Sequence, residues 1–184
     1  MQSGEVTIIR VESAAEVAPY RASFVGAYQT VWSEPPYNEE FYPYEAEAVL
    51  RRQLQTPGHI TLLAVRGLST VVGFGFAVAL RHRADVLREL TGLLPTSHTM
   101  YLAELGILPA WRGKGLGGTL VDERLQLIDR KKYSHVLLRT STSTGYELYT
   151  ERSFEDMGVY MEVRSRRVDG SVSTDRRLFL SRVL

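Results

Sequence analysis

The stretch LGILPAWRGKGLGGTL, Leu105 to Leu120, decides how the rest of the chain is read. Four glycines, Gly113, Gly115, Gly117 and Gly118, fall within six residues, beside Arg112 and Lys114. An apolar run precedes them and a helix-like pattern follows. Glycines let backbone N–H groups crowd round an anion. A helix that begins in the loop adds unsatisfied N–H groups and its positive dipole end. Arg112 and Lys114 add formal charge. The stretch is suited to gripping a pyrophosphate.

Four readings of the glycines compete. Gly113, Gly115 and Gly118 spell G-x-G-x-x-G, but a dinucleotide fold wants the first glycine directly after the strand and an acid about 20 residues on. Pro109 to Arg112 intervene, the later position falls in Val136 to Arg139, and only 71 residues follow Gly113. A P-loop needs G-K-[ST], whereas the sequence has Gly113-Lys114-Gly115. A plain glycine-rich helix start seldom needs four glycines. The spacing that remains is Arg112-x-x-Gly115-x-Gly117.

Outward from the loop, MYLAELGIL reads as a strand with Tyr101, Ala103, Leu105 and Ile107 on one face and Leu102, Glu104, Gly106 and Leu108 on the other. Gly106 is the expected site of a bulge. Gly115 to about Lys131 reads as a helix with a stripe of Leu116, Leu120, Val121, Leu127 and Ile128. HVLLR reads as a strand buried on both faces, followed by a helix at about Thr144 to Glu151. Two closing strands turn at Asp169-Gly170. Upstream, VTIIRV is a strand, Ala14 to Val31 a helical stretch, and Glu45 to Leu54 a second helix. HITLLAVRG and STVVGFGFAVAL form a hairpin, and RADVLRELTGLL is a weak helix. The order implies a mixed α+β fold with one parallel crossover, strand–glycine loop–helix–strand.

The whole chain sets bounds. Its 184 residues suit one domain, 1–184, and its composition is that of a soluble globular protein, 44% hydrophobic and 23% charged. A net charge of +1 calls for neither nucleic acid nor membrane, and the longest apolar run, Val71 to Leu80, cannot span a bilayer. No signal-like segment opens the chain, so a cytoplasmic setting is expected. With no cysteine, thiolate metal sites and a Cys nucleophile are excluded. The four histidines have no metal-ligand spacing, and no metal is expected.

Arg112-x-x-Gly115-x-Gly117 resembles the acyl-CoA-binding signature of the GNAT (general-control-type N-acetyltransferase) superfamily. The resemblance covers nearly the whole chain in element order, and most strongly Met100 to Phe154. It implies a central twisted sheet of six to seven strands flanked by about four helices, with strands splayed at the CoA site. Leu105, Gly106 and Ile107 would pair with the pantetheine arm. Arg112, Gly113, Lys114, Gly115, Leu116, Gly117 and Gly118 would hold the pyrophosphate. Leu148-Tyr149-x-x-x-Ser153-Phe154 is similar to the family's L-Y-x-x-x-G-F helix end, with Ser153 in place of glycine. Thr142 stands where an Asn often contacts CoA.

The implied reaction is direct transfer of acetyl from acetyl-CoA to a primary amine. At pH 7 a lysine-like amine needs about 4.6 kcal/mol to lose its proton. Glu104 is the candidate base and Tyr149 the candidate acid for the leaving thiolate. A backbone N–H near Ile107 would serve the oxyanion. A catalytically inactive acyl-CoA sensor on the same fold is the rival reading. The acceptor would be a small molecule or peptide amine, with nucleic acid and membrane disfavoured. Dimers are common in folds of this type, so a homodimer is allowed.

Two further segments bear on the acceptor. Trp32 to Glu47 carries five glutamates and five aromatics without a basic residue, which would suit a cationic amine; the alternative is a solvated acidic loop. Six arginines cluster between Arg164 and Arg182, read as a solvated strand face.

Overall fold

A computed structural model describes residues 5–141 and 144–184. Its centre is a seven-stranded sheet in the order β1-β2-β3-β4-β5-β7-β6. The strands are β1 (Val6–Arg10), β2 (Ile60–Arg66), β3 (Thr70–Ala79), β4 (Thr99–Ile107), β5 (His135–Thr140), β6 (Glu155–Arg166) and β7 (Val172–Val183). Only β4 and β5 run parallel; every other pair is antiparallel. The fold is thus the mixed α+β arrangement expected from the sequence.

Helices cover both faces. They are α1 (Ala14–Val17), α2 (Arg21–Ser33), α3 (Pro43–Gln55), α4 (Ala84–Leu90), α5 (Leu116–Leu127) and α6 (Thr144–Thr150). The single helix expected over 14–31 is broken by a 3-10 turn, Ala18–Tyr20, with Pro19 in its first turn. Proline cannot donate to the preceding turn, so it starts a new one. The helix after the glycine loop ends at Leu127, short of Lys131, because Ile128 turns extended (φ −72°, ψ 126°).

Alternation along the strands builds a core on each face. Leu63, Val65, Phe74 and Phe76 pack with Phe24, Tyr28 and Val31 of α2 and Leu50 of α3. Leu62, Ala64, Leu102, Val136 and Leu138 pack with Leu120, Val121 and Leu125 of α5 and Tyr149 of α6. Burying each large apolar side chain contributes about 1.5–3 kcal/mol. Leu127 leaves the expected stripe and is 40% exposed. Its place on the core side is taken by Leu125 and, four residues from both Leu120 and Ile128, by Arg124.

Candidate functional site

The parallel pairing of β4 with β5 runs only from Thr99–His135 to Leu102–Leu138. Beyond it, β4 stays bonded to β3 as far as Ile107 opposite Gly73, and β5 to β7 as far as Thr140 opposite Leu178. The two strands splay, and residues 103–107 of β4 lose their neighbour on that side. This is the splay expected from the family resemblance.

A bulge sits at the start of the splay. Phe76 pairs with Glu104 but Ala77 pairs with Leu102, so Ala103 is the extra residue. Gly106, the expected bulge, has another role: a Cβ there would stand 2.7 Å from Phe74 Cε1 and 2.9 Å from Cε2, so only glycine admits the ring. The bulge also switches faces. Leu105 and Ile107 join Leu102 on the α5 side, while Tyr101 and Ala103 lie on the other. The expected grouping of Tyr101 with Leu105 and Ile107 therefore fails, because one inserted residue reverses the alternation.

Arg124 holds the bulge. It is fully buried, and its Nη1 donates to the carbonyls of Phe76 and Glu104, each at 3.0 Å. Its Nε donates to Leu120 O at 3.1 Å, and among the described residues Nη2 has no hydrogen-bond partner. Gly75 makes room, since a Cβ there would stand 3.0 Å from Arg124 Nε. Sequence reading passed over Arg124, although a charge at the four-residue spacing of a core stripe was a visible signal.

The Glu104 side chain lines a cavity of about 670 Å³ on the α2/α3 face. Tyr28 Oη donates to Glu104 Oε2 at 3.5 Å. Burial pushes the Glu104 carboxyl above the ordinary carboxylate range, the guanidiniums of Arg83 and Arg139 pull it back in part, and Glu39 adds to the rise. Burial, then Glu104 and Glu39, likewise hold the Tyr28 phenol well above its usual value, so it stays a donor.

The glycine loop follows the C-terminal end of β4. Gly113 (φ 71°) and Gly115 (φ 79°) are left-handed, with nothing within 4 Å of a would-be Cβ, so backbone conformation demands glycine at both. Gly115 caps α5 without a side-chain hydrogen bond, leaving the first N–H groups of Leu116 and its successors to a ligand or water. Gly117 packs near Leu148 and Ile107, at 3.7 and 3.8 Å from its would-be Cβ, and Leu116 borders the same cluster. Gly118 yields space to the Arg152 guanidinium, which pairs with Asp122. The two loop cations have local partners: Arg112 binds Glu34 (2.7 Å) and Ile107 O (3.0 Å), while Lys114 donates to Ala110 O (3.0 Å) and lies over Trp111.

Tyr149 is 6% exposed, in the same apolar cluster as Leu105, Ile107 and Leu116, with its ring edge-on to Phe154 (centroids 5.5 Å apart). Ser153 ends α6 with φ 62°, the conformation that a glycine would take there without strain. Thr142 lies outside the described residues.

The acidic segment and the arginine-rich tail meet across the cavity. Arg177 pairs with Glu39, and both are buried. Arg166 binds Glu40 (2.8 Å) and Glu45 (2.6 Å) and lies over the Tyr42 ring; Arg167 donates to Tyr37 O. Glu34 and Glu47 are taken by Arg112 and Arg21. Each glutamate of the segment thus has an arginine, so the wall that would have suited a cationic amine is neutralised, and the alternative of a solvated acidic loop does not hold either. The tail arginines are correspondingly no plain solvated face: Arg166, Arg167 and Arg177 fasten the segment to β6 and β7. Such pairing joins residues over 100 positions apart, beyond the reach of local sequence patterns.

Among the described residues no group of three or more His, Asp or Glu could hold a metal, and no helix is long and apolar enough to cross a membrane. A comparison with curated protein sequences finds no match. Among solved structures, a ribosomal-protein-alanine N-acetyltransferase from Brucella melitensis superposes with a TM-score of 0.67 at 16% identity, covering 97% of this chain and 99% of that one. A GNAT superfamily phosphinothricin acetyltransferase from Sinorhizobium meliloti, solved in complex with AcCoA, gives 0.68 at 22% identity, covering 97% and 88%. A GNAT-family acetyltransferase from Streptococcus pneumoniae gives 0.64 at 17%, covering 98% and 100%. At these identities the likeness shows the fold. The profile of the Acetyltransferase (GNAT) family matches residues 24–154, well over half the chain, and spans α2, the bulged β4, the glycine loop, β5 and α6. The chain belongs to the GNAT acetyltransferase family.

Proposed function

We propose that the protein transfers the acetyl group of acetyl-CoA directly to a primary amine. The observation that carries this reading is the β4–β5 splay, with the glycine loop and α5 N-terminus at one end and the Glu104 cavity at the other. The donor's pyrophosphate meets the N–H groups of Gly113 to Gly118, with Arg112 and Lys114 turning from their local partners to its charge. The pantetheine arm pairs with the free edge of Leu105, Gly106 and Ile107. Thr142 contributes a hydroxyl to the donor. The acceptor enters through the cavity.

Glu104 takes a proton from the acceptor ammonium. Its raised pKa makes it a better match to an amine than an exposed carboxylate would be. The freed nitrogen attacks the thioester carbonyl carbon, whose oxygen is met by a backbone N–H near Ile107. The C–S bond breaks, the nitrogen loses its second proton, and sulphur gains one from the Tyr149 hydroxyl, which is replenished from solvent. Products are the acetylated amine and free CoA thiol.

The test has two arms. Acetyl-CoA is expected to raise Tm, whereas NADPH is not; no shift with acetyl-CoA rejects the donor. Thiol release is then followed with a panel of amines, and a Tm shift without turnover on any of them favours a sensor over an enzyme. Tyr149→Phe is expected to lower kcat about 100-fold with little change in acetyl-CoA affinity.

A further inference from the structure

One part of the cavity is used neither by the acid–base chemistry nor by the ion pairs that fasten the acidic segment. Arg83, just past the 3-10 turn Leu80–His82 that follows β3, grips Asp85 through two bonds: Nε to Oδ1 at 3.0 Å and Nη2 to Oδ2 at 2.9 Å. The Arg83 guanidinium lies over the Tyr101 ring, 4.9 Å from its centre. Arg139 comes one residue after Leu138, where the β4–β5 pairing ends. It reaches the same carboxylate only at 3.6 Å, too long for a hydrogen bond, and its Nη1 otherwise donates to the Met161 sulphur. Two arginines therefore share one aspartate, and the Arg139 fork has no bidentate carboxylate. Both side chains are largely withdrawn from water, with 18% and 24% exposure, and all three residues line the cavity.

The pocket's other ionic groups do not cancel this surplus. Glu39, Glu40 and Glu45 are committed to Arg177 and Arg166, and the extra carboxylate of that set is offset by Arg52 and Arg164, which also line the cavity. The one carboxylate left is Glu104, and the fields of Arg83 and Arg139 both act on it. The cavity thus presents a carboxylate beside a surplus of guanidinium charge. A second ammonium on the acceptor would meet repulsion there. A group with two oxygens would complete the Arg139 fork.

We propose that Arg83 and Arg139 form an anion subsite, and that the acceptor is a zwitterion: an amine that also carries a carboxylate or an equivalent oxyanion, as a free amino acid does. Its ammonium faces Glu104 and its anion faces Arg139. This rests on the acetyl-transfer reading above and narrows its substrate class. The subsite gives specificity by difference: an acceptor lacking the anion leaves the Arg139 guanidinium largely desolvated with only its distant share of Asp85.

The experiment compares matched acceptors in the thiol-release assay: each of the twenty amino acids, its carboxamide, and the amine left after removal of the carboxyl group. The best carboxylate-bearing acceptor is expected to exceed its carboxamide at least tenfold in kcat/KM. Arg139→Gln is expected to raise KM for that acceptor at least tenfold while leaving the carboxamide and acetyl-CoA KM unchanged. Arg139→Lys is expected to restore part of the preference, which separates charge from folding. Turnover of carboxamides or decarboxylated amines equal to or above that of the amino acids overturns the subsite while leaving acetyl transfer standing. So does an Arg139→Gln loss that is the same for every acceptor. Thiol release from no amine, with acetyl-CoA still raising Tm, instead overturns the transfer reading itself.

Discussion

The ring of Phe74 occupies the space that any side chain at Gly106 would need. The ring is buried, stacked on Tyr28, edge-on to Phe24 and tilted against Phe76, so it has nowhere to retreat. Gly106→Ala is expected to cost about 1–3 kcal/mol, the usual range for an overpacked core. Urea unfolding reads this directly, and an unchanged midpoint would show that the ring yields.

Arg124 should matter to the bulge more than to the helix that carries it. Arg124→Met keeps the length and apolar stem but removes the donors to Phe76 O and Glu104 O. The expected loss is about 2 kcal/mol, with faster amide exchange at Ala103 to Leu105 than elsewhere in β4. Arg124→Lys should rescue little, since an ammonium lacks the planar fork. Uniform exchange across the sheet would mean that the arginine only fills space.

Ser153 holds a left-handed backbone at φ 62°. Ser153→Gly removes that strain and is expected to stabilise the protein by about 1 kcal/mol, seen as a rise in Tm. A fall in Tm would show that the lost entropy of the unfolded chain outweighs the strain relieved.

Glu104 is expected to trade stability for chemistry. Its folded pKa is raised by burial, so the folded state holds the proton more tightly than the unfolded chain does. The ionised group therefore costs stability above its folded pKa, and the cost vanishes below the ordinary value of 4.5. Glu104→Gln should raise Tm at pH 8, match the native protein at pH 4, and lower kcat by about 100-fold. The acid limb of kcat/KM in the native enzyme should lie above pH 4.5. A variant less stable at pH 8 would contradict this account.

Breaking the pair between Arg177 and Glu39 should cost more than breaking an exposed one. Both side chains are about nine-tenths buried. Arg177→Met leaves a carboxylate uncompensated and is expected to cost about 3 kcal/mol, whereas Arg21→Met, at an exposed pair, should cost under about 1 kcal/mol. Adding Glu39→Gln to Arg177→Met should recover part of the loss, as a double-mutant cycle measures.

What the sequence disclosed was local, and what it hid was non-local. The glycine loop, the helix after it and the β2–β3 hairpin were readable because turn chemistry and apolar period lie within a few residues of each other. The Ala103 bulge was not, because MYLAELGIL alternates without a break; the cause sits 21 residues on, in Arg124. Pro19 did advertise the break between α1 and α2, and the apolar pattern masked it. The acidic segment was legible as a feature and misleading as a site, since its partners are arginines from the other end of the chain. Arg83 and Arg139 carry no motif at all. One follows β3 and the other sits on β5, and only the folded sheet brings both to the Asp85 carboxylate.

Helix α5 starts at the glycine loop and reaches, nine residues past Gly115, the arginine that grips the Glu104 carbonyl. At 1.5 Å per residue that is a spacer of about 13 Å between the glycine loop and the bulge that carries Glu104. One inserted residue would rotate Arg124 by about 100° and pull it from the bulge, so this span tolerates no change of length. The opposite wall is assembled from a loop and a terminal hairpin joined by ion pairs, and it tolerates many. Evolution can therefore rewrite residues 34–45 and 164–177, and with them the shape of the cavity, while the half built on α5 keeps its gauge.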